Sequence, residues 1–357
     1  MRNRVVVAAA GSGKTSFIVQ ESLRNSTSST LITTYTIENQ ALINSYLIQY
    51  NSVLPQNVEV LGWWTFLLKH CVRPYQSFVY PAERIRTILR VDGRSDRYAG
   101  KDNAERYYFH NGDEIYSDKI SEFACKCNLV SDGFVIKRLE QIYDNILIDE
   151  SQELAGYDFE ILELLMRSRI NITLVGDIRQ ATYVTNYSPK NRQFERQNVI
   201  GLYKNWEANG LCLIEEKKES HRCNQSICDF ADRLYPNLPK TVSKNQRITG
   251  HDGIFLIRRQ DIKKYLDCFK PQALRYSRAS KTDGVSALNF GLVQGQNFDR
   301  VMIFPTQGIK RYLLSGRIED VGDLPKFYVA ITRARYSVAI VHDQSTCFSD
   351  VKIWKEP

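Results

Sequence analysis

The chain has 357 residues, of which 43% are hydrophobic and 25% are charged, proportions typical of a globular protein. Its length suggests two domains, each large enough to bury its own core. Lysine and arginine outnumber aspartate and glutamate by 48 to 40, and the formal net charge of +8 suits a polyanionic partner without identifying one. No apolar run reaches the length needed to cross a bilayer, and the N-terminus lacks a signal-peptide pattern, so neither a membrane protein nor a secreted one is expected.

The eight cysteines are scattered along the chain. Cys125-x-Cys127 and Cys223-x4-Cys228 lack the C-x2-C spacing of zinc sites, and His221 beside Cys223 does not complete one. We therefore predict free thiols, which indicate a cytoplasmic location.

The stretch from Val5 to Ser16 is the most informative part of the sequence. A β-branched apolar run is followed by a turn of glycine and serine and then by an apolar-periodic segment, which predicts a strand, a tight loop and a helix start. Glycines let the backbone wrap an anion, and the free N–H groups of a first helical turn favour negative charge. The stretch therefore predicts a P-loop, although Ala8 stands where the usual pattern has glycine. The predicted phosphate-contacting residues are Ala10, Gly11, Ser12, Gly13, Lys14, Thr15 and Ser16.

Two side chains of this loop have specific expected roles. Lys14 can reach the β- and γ-phosphates of a nucleotide, and the hydroxyl of Thr15 can bind the Mg²⁺ that bridges them. The alternative is a glycine-rich turn between a strand and a helix, with a solvated lysine. The residues downstream favour the P-loop.

The next segments continue the alternation of strands and helices. We predict a strand over 31–35, a helix starting near Thr36 or Glu38, a strand over 58–64 and a helix ending before Pro74. Residues 75–140 are less regular, which indicates an insertion or lid on the first domain. Its basic residues are more typical of a solvated face than of a binding surface, and they include Arg84, Arg86, Arg90, Arg94, Arg97 and Lys101.

Two later strands end in polar residues. Residues 145–150 have the pattern of a buried parallel strand and end in Asp149 and Glu150, where a P-loop protein places its second group near magnesium. Asp149 would hold Mg²⁺ through water and Glu150 would polarise the attacking water. The alternative is a strand that ends in a common acidic turn. Another apolar strand ends at Asp177, and Gln180 beyond it can sense a γ-phosphate or orient water.

We predict a first domain over 1–215, with the insertion at 75–140, and a second domain over 216–357. A strand over 211–214 lies near the boundary. Residues 326–335 indicate a helix with arginines on one side. Alternating strands and helices predict an α/β fold whose parallel sheets are covered on both faces. Later strands are predicted at 253–257, 273–276, 286–290, 301–304 and 337–341.

Taken together, these motifs resemble those of the UvrD/Rep/PcrA-like superfamily 1 helicases, in a compact core form. The most specific elements are the Asp-Glu-x-Gln box at 149–152 and the Tyr-Val-Ala-x-Thr-Arg-Ala box at 328–334. The resemblance covers the chain from residue 5 to about residue 341. It implies two RecA-like P-loop domains with parallel sheets, ATP in the cleft between them, and single-stranded DNA lying across both.

The resemblance also implies roles for individual residues. Gln180 matches the γ-phosphate sensor, and Arg222 and Arg333 match two arginines that reach the γ-phosphate from the second domain and stabilise its charge. Gln152 and His221 fall on nucleotide-binding positions. One of the two adjacent tryptophans at 63 and 64 is expected to be core, although aromatic faces near DNA suit base stacking. The segments that touch DNA in the family contain Thr34, Tyr35, Trp63, Trp64 and Tyr183.

The sequence also departs from the family pattern. An adenine-reading glutamine normally lies well before the P-loop, whereas only Met1–Arg4 precede the first strand here, and His221 stands where an adenine-stacking tyrosine is usual. We therefore expect base recognition to be weak or supplied by another group. Gln294 replaces the lysine expected before Gly295. The spacing from Arg222 to Gly295 is too short for the large inserted domain of the longer helicases.

The leading functional prediction is an ATP-dependent single-stranded DNA translocase or helicase, an ATP hydrolase that depends on a partner for processive unwinding. Its expected ligands are ATP, Mg²⁺ and single-stranded DNA, or a duplex with a single-stranded tail. A nuclease or other protein is the expected partner, and a membrane is not. The alternative is a nucleotide-gated regulatory subunit of a nuclease-linked complex, such as one in phage defence. A P-loop kinase is disfavoured because it needs no arginines from a second domain.

Overall fold

Strands and helices alternate along the chain in the computed structural model, which describes residues 3–95 and 99–356. Met1, Arg2 and Arg97 lie outside the described residues. No helix within the described ranges is long and apolar enough to span a bilayer.

The strands, in chain order, are β1 (Arg4–Ala8), β2 (Thr30–Thr34), β3 (Val58–Gly62), β4 (Thr87–Leu89), β5 (Phe109–His110), β6 (Glu114–Tyr116), β7 (Asn145–Ile148), β8 (Asn171–Gly176), β9 (Leu213–Lys217), β10 (Glu219–Ser220), β11 (Val242–Ser243), β12 (Gly253–Ile257), β13 (Gln272–Arg275), β14 (Leu288–Asn289), β15 (Phe298–Phe304), β16 (Ala334–Val341) and β17 (Lys352–Ile353). The helices are α1 (Lys14–Ser22), α2 (Ile37–Asn51), α3 (Trp63–Phe66), α4 (Ala104–Tyr108), α5 (Ile120–Val130), α6 (Phe134–Ile142), α7 (Asp158–Met166), α8 (Val199–Ala208), α9 (Gln225–Asp232), α10 (Ile262–Phe269), α11 (Gln307–Ser315) and α12 (Leu324–Thr332). Helix α3 continues as a π-helix over Leu67–Val72.

The chain divides into two compact units. The first comprises Met1–Val7 and Lys14–Glu216, and the second comprises Ala8–Gly13 and Lys217–Pro357. The division after Glu216 lies next to the predicted boundary. The loop Ala8–Gly13, which holds much of the predicted P-loop, thus groups with the second unit.

The first unit is built on a sheet with the strand order β3-β2-β7-β8-β1-β9. The pairs β3–β2, β2–β7, β7–β8 and β8–β1 are parallel. Since parallel strands have their carboxyl ends at one edge of a sheet, the chain leaves β1, β7 and β8 side by side. Val6 of β1 packs into one core with Ile18 and Val19 of α1 and with Ile43 and Leu47 of α2.

The segment at 75–140 is more regular than the sequence pattern indicated. Strands β4 and β6 pair in parallel, and β5 pairs with β6 in the antiparallel sense, which makes a small sheet in the order β4-β6-β5. Helices α4, α5 and α6 belong to the same part of the chain. The prediction missed these strands because they are only two or three residues long, too short to display a period of two.

The second unit is built on a sheet with the order β14-β13-β15-β16-β12-β17, in which every neighbouring pair is parallel. Both faces of this sheet are buried. On β12, Ile254 and Leu256 join one core while Phe255 and Ile257 join the other. Continuous apolar strands such as 253–257 are typical of parallel sheets covered on both sides. The predicted α/β class with parallel sheets is confirmed.

Several predicted boundaries differ from the observed ones. The strand at 58–64 ends at Gly62, and the two tryptophans begin α3. The strand at 211–214 lies at Leu213–Lys217. The helix at 326–335 ends at Thr332, and the chain then pairs with β15, so Arg335 lies on strand β16 and not on the helix.

Candidate functional site

Asp149 and Glu150 follow the end of β7, as the sequence predicts. Asp149 is 4% exposed, its N–H donates to the carbonyl oxygen of Thr33 at 2.9 Å, and its Oδ1 accepts the N–H of Glu150 at 3.0 Å. Burial and the neighbouring Glu150 raise the pKa of Asp149 to about 7, and Lys14 opposes the rise. Because a nearby cation favours the charged carboxylate, this position suits a group that works next to a metal ion.

A chain of hydrogen bonds joins Glu150 to Gln180. Glu150 adopts a left-handed conformation with φ 52°, and its Oε2 accepts the side-chain amide N–H of Gln152 at 2.7 Å. The amide oxygen of Gln152 accepts the N–H of Asp177 at 3.0 Å. The carboxylate of Asp177 in turn accepts the amide N–H of Gln180 at 2.8 Å. The structure thus brings together predicted residues that follow two neighbouring strands.

Gly176 leaves room for this chain. A Cβ at this position would lie 2.4 Å from Oε1 of Gln152 and 2.8 Å from Oγ of Ser151. Real side chains essentially never make such contacts. The last residue of β8 must therefore be glycine if Gln152 is to reach the N–H of Asp177.

The loop between β1 and α1 has the backbone that a phosphate-binding loop needs. Gly11 and Gly13 both have φ of 76°, and, apart from Gly13 and its two chain neighbours, no described atom lies within 4 Å of where a Cβ of Gly13 would be. The hydroxyl of Ser12 is buried and has no hydrogen-bond partner among the described residues. Since α1 begins at Lys14, N–H groups of its first turn lack intrahelical partners. These features fit the phosphates of a nucleotide, and Ser16 also lies in this first turn.

Gly11 is held within the second unit. Its carbonyl oxygen accepts the N–H of His221 at 2.9 Å, and the N–H of Ala9 donates to the carbonyl oxygen of Lys217 at 2.9 Å. A Cβ at Gly11 would lie 2.6 Å from Cβ of Arg222. Ala10 is buried in the same core as the apolar face of α9.

Two predicted arginines of the second unit meet at the carboxyl end of α12. Nη1 of Arg222 donates to the carbonyl oxygen of Thr332 at 3.1 Å, and Arg333 is the next residue. Arg333 is 1% exposed, and its Nε donates to the carbonyl oxygen of Val329 at 3.3 Å. Sequence reasoning placed Arg222 and Arg333 in one functional group, and the structure places them next to each other.

The predicted aromatic residues form a cluster in the first unit. The rings of Tyr35 and Trp64 meet edge to face with centroids 5.3 Å apart, and those of Tyr35 and Tyr183 are 6.3 Å apart. Tyr183 is 39% exposed, and the nearby Tyr187 is 44% exposed. We call Tyr35, Trp64 and Tyr183 the aromatic cluster. Its members come from the ends of β2 and β3 and from the loop after β8.

The other two predicted DNA residues are buried. Trp63 is 2% exposed, and its indole N–H donates to Oδ1 of Asp158 at 2.8 Å, so Trp63 is the core tryptophan of the pair. Thr34 is 1% exposed, and its hydroxyl oxygen accepts the side-chain amide of Asn39 at 3.4 Å. Burial leaves neither side chain available to stack on a base.

Sequence reasoning missed two buried carboxylates that lie beside this cluster. Oε2 of Glu153 accepts the N–H of Tyr183 at 2.6 Å, and the carbonyl oxygen of Glu153 accepts the N–H of Thr185 at 3.0 Å. Asp158 is fully buried and accepts hydrogen bonds from Trp63, Ser121 and Thr185. The sequence does contain a signal for them, because Glu153 and Asp158 are acidic residues in an otherwise apolar segment directly after the Asp-Glu-x-Gln box.

Metal ligands are limited in the part of the chain that the structure describes. No group of three or more His, Cys, Asp or Glu side chains there could hold a metal ion. All eight cysteines are free thiols. A magnesium ion that arrives with a nucleotide needs few protein ligands, because phosphate and water oxygens supply most of its coordination. Thr15 and Asp149 are oxygen donors of the kind that it takes.

The family comparison matches residues 116–188 to the UvrD/REP helicase N-terminal domain. This range includes the Asp-Glu-x-Gln box, Gln180 and Tyr183. No curated protein matches the chain in sequence.

Several solved helicase structures resemble the fold at low identity. An arterivirus nonstructural protein 10 helicase is 15% identical with a TM-score of 0.49, and the match covers 96% of this chain and 60% of that one. A complex of arterivirus nonstructural protein 10 with DNA is 14% identical with a TM-score of 0.48, covering 96% and 61%. The PRRSV helicase is 16% identical with a TM-score of 0.45, covering 95% and 52%. This chain therefore matches about half to three fifths of the length of those proteins. The family match at 116–188 confirms, for that part of the chain, the resemblance to UvrD-like helicases that the motifs indicated.

Proposed function

We propose that this chain is an ATP-hydrolysing motor that moves along single-stranded DNA. The observation that carries the proposal is the position of Glu153. This residue belongs to the same short segment as Asp149, Glu150 and Gln152, and its carboxylate accepts the N–H of Tyr183 in the aromatic cluster at 2.6 Å. Residues suited to nucleotide chemistry and residues suited to base stacking are thus joined by one buried side chain.

The nucleotide half of the proposal assigns roles to the P-loop and the carboxylates. Backbone N–H groups of residues 10–16 and the ammonium of Lys14 bind the phosphates. Thr15 and Asp149 would hold Mg²⁺, and Glu150 would accept a proton from the attacking water. Magnesium-bound ATP, when present, supplies a phosphoanhydride bond whose hydrolysis releases free energy. Gln180, held by Asp177, orients the water or senses the γ-phosphate.

Arg222, Arg333 and His221 complete this half. We assign the two arginines to the γ-phosphate oxygens, where positive charge stabilises the transition state. Their proximity at the end of α12, where Arg222 donates to the carbonyl oxygen of Thr332 at 3.1 Å, supports a joint role. His221 is exposed and is assigned to the nucleotide.

The DNA half of the proposal rests on the aromatic cluster. Exposed aromatic faces bind single-stranded bases by stacking, at about 1–3 kcal/mol for each base. Because the affinity for DNA would come largely from counterion release at the phosphates, it should be weak and should fall steeply as salt rises. We infer that processive unwinding needs a protein partner that holds the DNA, such as a nuclease. The free thiols support a cytoplasmic location for this motor.

The test measures ATP hydrolysis by the purified chain with and without a single-stranded oligonucleotide. Wild type should hydrolyse ATP faster with DNA, and the stimulation should decline as salt rises. Glu150→Gln should keep nucleotide binding and lose about 10²-fold or more in turnover, because the proton acceptor is gone. Lys14→Ala should weaken nucleotide binding itself. Glu163→Gln is the matched control, since Glu163 lies on the exposed side of α7 and pairs with Arg167 at 2.7 Å.

Three results would count against the proposal. Wild-type turnover in Glu150→Gln would remove the catalytic assignment. ATP hydrolysis that DNA does not stimulate would favour the alternative function, a nucleotide-gated regulatory subunit. Efficient unwinding of a long blunt duplex by the chain alone would contradict the need for a partner.

A further inference from the structure

One residue of the segment at 75–140 reaches the aromatic cluster. Arg90 follows β4, is exposed, and lies over the ring of Trp64 with its guanidinium carbon 5.4 Å from the ring centroid. It also interacts with the hydroxyl of Tyr35. The sequence pattern had placed Arg90 among the charges of a solvated face, and the structure places it on two members of the cluster instead.

Among the residues that the structure describes, no carboxylate neutralises the positive charge of Arg90. Within residues 3–95 and 99–356, no Asp or Glu oxygen lies within 4.0 Å of its guanidinium nitrogens. Arg86, four residues earlier, differs because its Nε lies 3.2 Å from Oδ2 of Asp113. Within the described part of the chain, Arg90 therefore brings a cation without a carboxylate partner to an aromatic surface, while Arg86 is paired with Asp113.

The contact between Arg90 and Trp64 is weak enough to be exchanged. A cation over an aromatic ring at an exposed site contributes about 0.5–1 kcal/mol, whereas a nucleic-acid base stacked on an aromatic ring contributes about 1–3 kcal/mol. The indole nitrogen of Trp64 is buried, so the ring offers its apolar part outward. A base that stacks on Trp64 would release a guanidinium, and the nearest strong acceptors for it would be the phosphates of the same strand.

We propose that Arg90 is a single-stranded DNA-binding residue that leaves the face of Trp64 for a phosphate when a base stacks there. This inference rests on the proposed DNA-dependent function and adds the segment at 75–140 to the DNA-binding surface. It also explains why an exposed arginine covers a stacking face in the free protein: Arg90 shields the indole from water until a base replaces it.

The experiment measures binding of a fluorescein-labelled 20-nucleotide oligo-dT to the full chain by fluorescence anisotropy over a series of salt concentrations. Arg90→Ala should weaken binding about 5- to 10-fold at low salt, as expected for one charged contact. The slope of log Kd against log salt should become shallower by about 0.7, the value for one phosphate contact on a single strand. Arg90→Lys should keep the slope because it keeps the charge. Arg86→Ala should bind like wild type, because Arg86 is already paired.

Each outcome has a distinct meaning. If Arg90→Ala binds with wild-type affinity and slope while DNA still stimulates hydrolysis, the assignment of Arg90 is wrong and the proposed function stands. If wild type itself fails to bind oligo-dT, the DNA-dependent function fails as well. If Arg90→Ala and Arg90→Lys lose affinity equally and the slope does not change, Arg90 only packs against Trp64 and Tyr35, and the exchange onto phosphate is refuted.

Discussion

Asp158 offers the sharpest test of how the first unit holds the aromatic cluster in place. Its Oδ1 accepts hydrogen bonds from the indole N–H of Trp63 and the hydroxyl of Ser121. Its Oδ2 accepts the N–H of Ala155 at 3.2 Å and the hydroxyl of Thr185. These donors come from α3, from α5, from the loop before α7 and from the loop that carries Tyr183. Asp158→Asn keeps the shape of the side chain and changes one acceptor oxygen into an NH₂ donor.

The loss of stability in Asp158→Asn depends on which of the four donors can become hydrogen-bond acceptors. The hydroxyl groups of Ser121 and Thr185 can turn and accept a hydrogen bond from the new NH₂ group. The N–H groups of Trp63 and Ala155 cannot, and whichever one faces the amide nitrogen loses its acceptor. One buried, unpaired donor costs about 1–3 kcal/mol. Asp158→Leu leaves both N–H groups without an acceptor and should lower the free energy of unfolding twice as much, by roughly 2–6 kcal/mol.

Urea unfolding followed by tryptophan fluorescence is the suitable assay. Trp63, Trp64 and Trp206 lie in the first unit, and Trp354 lies in the second, so most of the signal reports the first unit. The midpoint should fall in Asp158→Asn and fall further in Asp158→Leu. Glu163→Gln on the same helix should change stability by no more than about 0.5 kcal/mol, as expected for an exposed pair. An Asp158→Asn midpoint equal to that of Glu163→Gln would refute the reasoning.

Two further predictions concern the second unit, and both are read from unfolding curves. Gly11→Ala should destabilise the protein more than Gly13→Ala. Both glycines have φ of 76°, a backbone conformation that costs an L-residue about 1–2 kcal/mol, but only a Cβ at Gly11 would also meet Cβ of Arg222, at 2.6 Å. Equal losses of stability in the two variants would contradict this contact. His251 is stacked between Phe255 and Phe269, and burial together with Arg300 lowers its pKa to about 4. The unfolded state therefore binds more protons between about pH 6.5 and pH 4, and stability should fall as the pH falls through that window. His251→Phe should show a shallower decline, and equal slopes in the two proteins would show that His251 contributes nothing to it.

Local patterns in the sequence predicted much of the architecture. The strand at 253–257 was predicted with its observed bounds because every residue in it is apolar and buried. The start of α2 was predicted near Thr36 or Glu38, and in the structure the side chain of Thr36 accepts the N–H of Asn39, which is the usual arrangement at a helix start. Asp149 was identified because a carboxylate directly after a buried strand is visible without any knowledge of the fold.

Features that depend on distant partners could not be predicted this way. Trp63 and Trp64 continue a pattern typical of a strand, yet α3 begins there and directs Trp63 to Asp158, 95 residues further along the chain. Glu153 meets Tyr183 across 30 residues. Arg90 looked like an ordinary surface charge because nothing near it in sequence reveals Trp64. Neither the local hydrophobic period nor residue propensity indicates which polar residues will contact a partner that is distant in sequence.

The bond between Glu153 and Tyr183 has a thermodynamic consequence that does not depend on which ligand arrives first. If DNA binding and nucleotide binding are coupled through this buried carboxylate, the coupling free energy is a single quantity shared by both ligands. DNA that tightens nucleotide binding tenfold must itself be bound tenfold more tightly when nucleotide is present, which corresponds to about 1.4 kcal/mol. In the proposed motor, hydrolysis would then change the affinity for DNA by the difference between the coupling free energy of the bound substrate and that of the bound product. Unequal coupling in those two states is the minimum that the proposed motor would need in order to hold a strand and then release it.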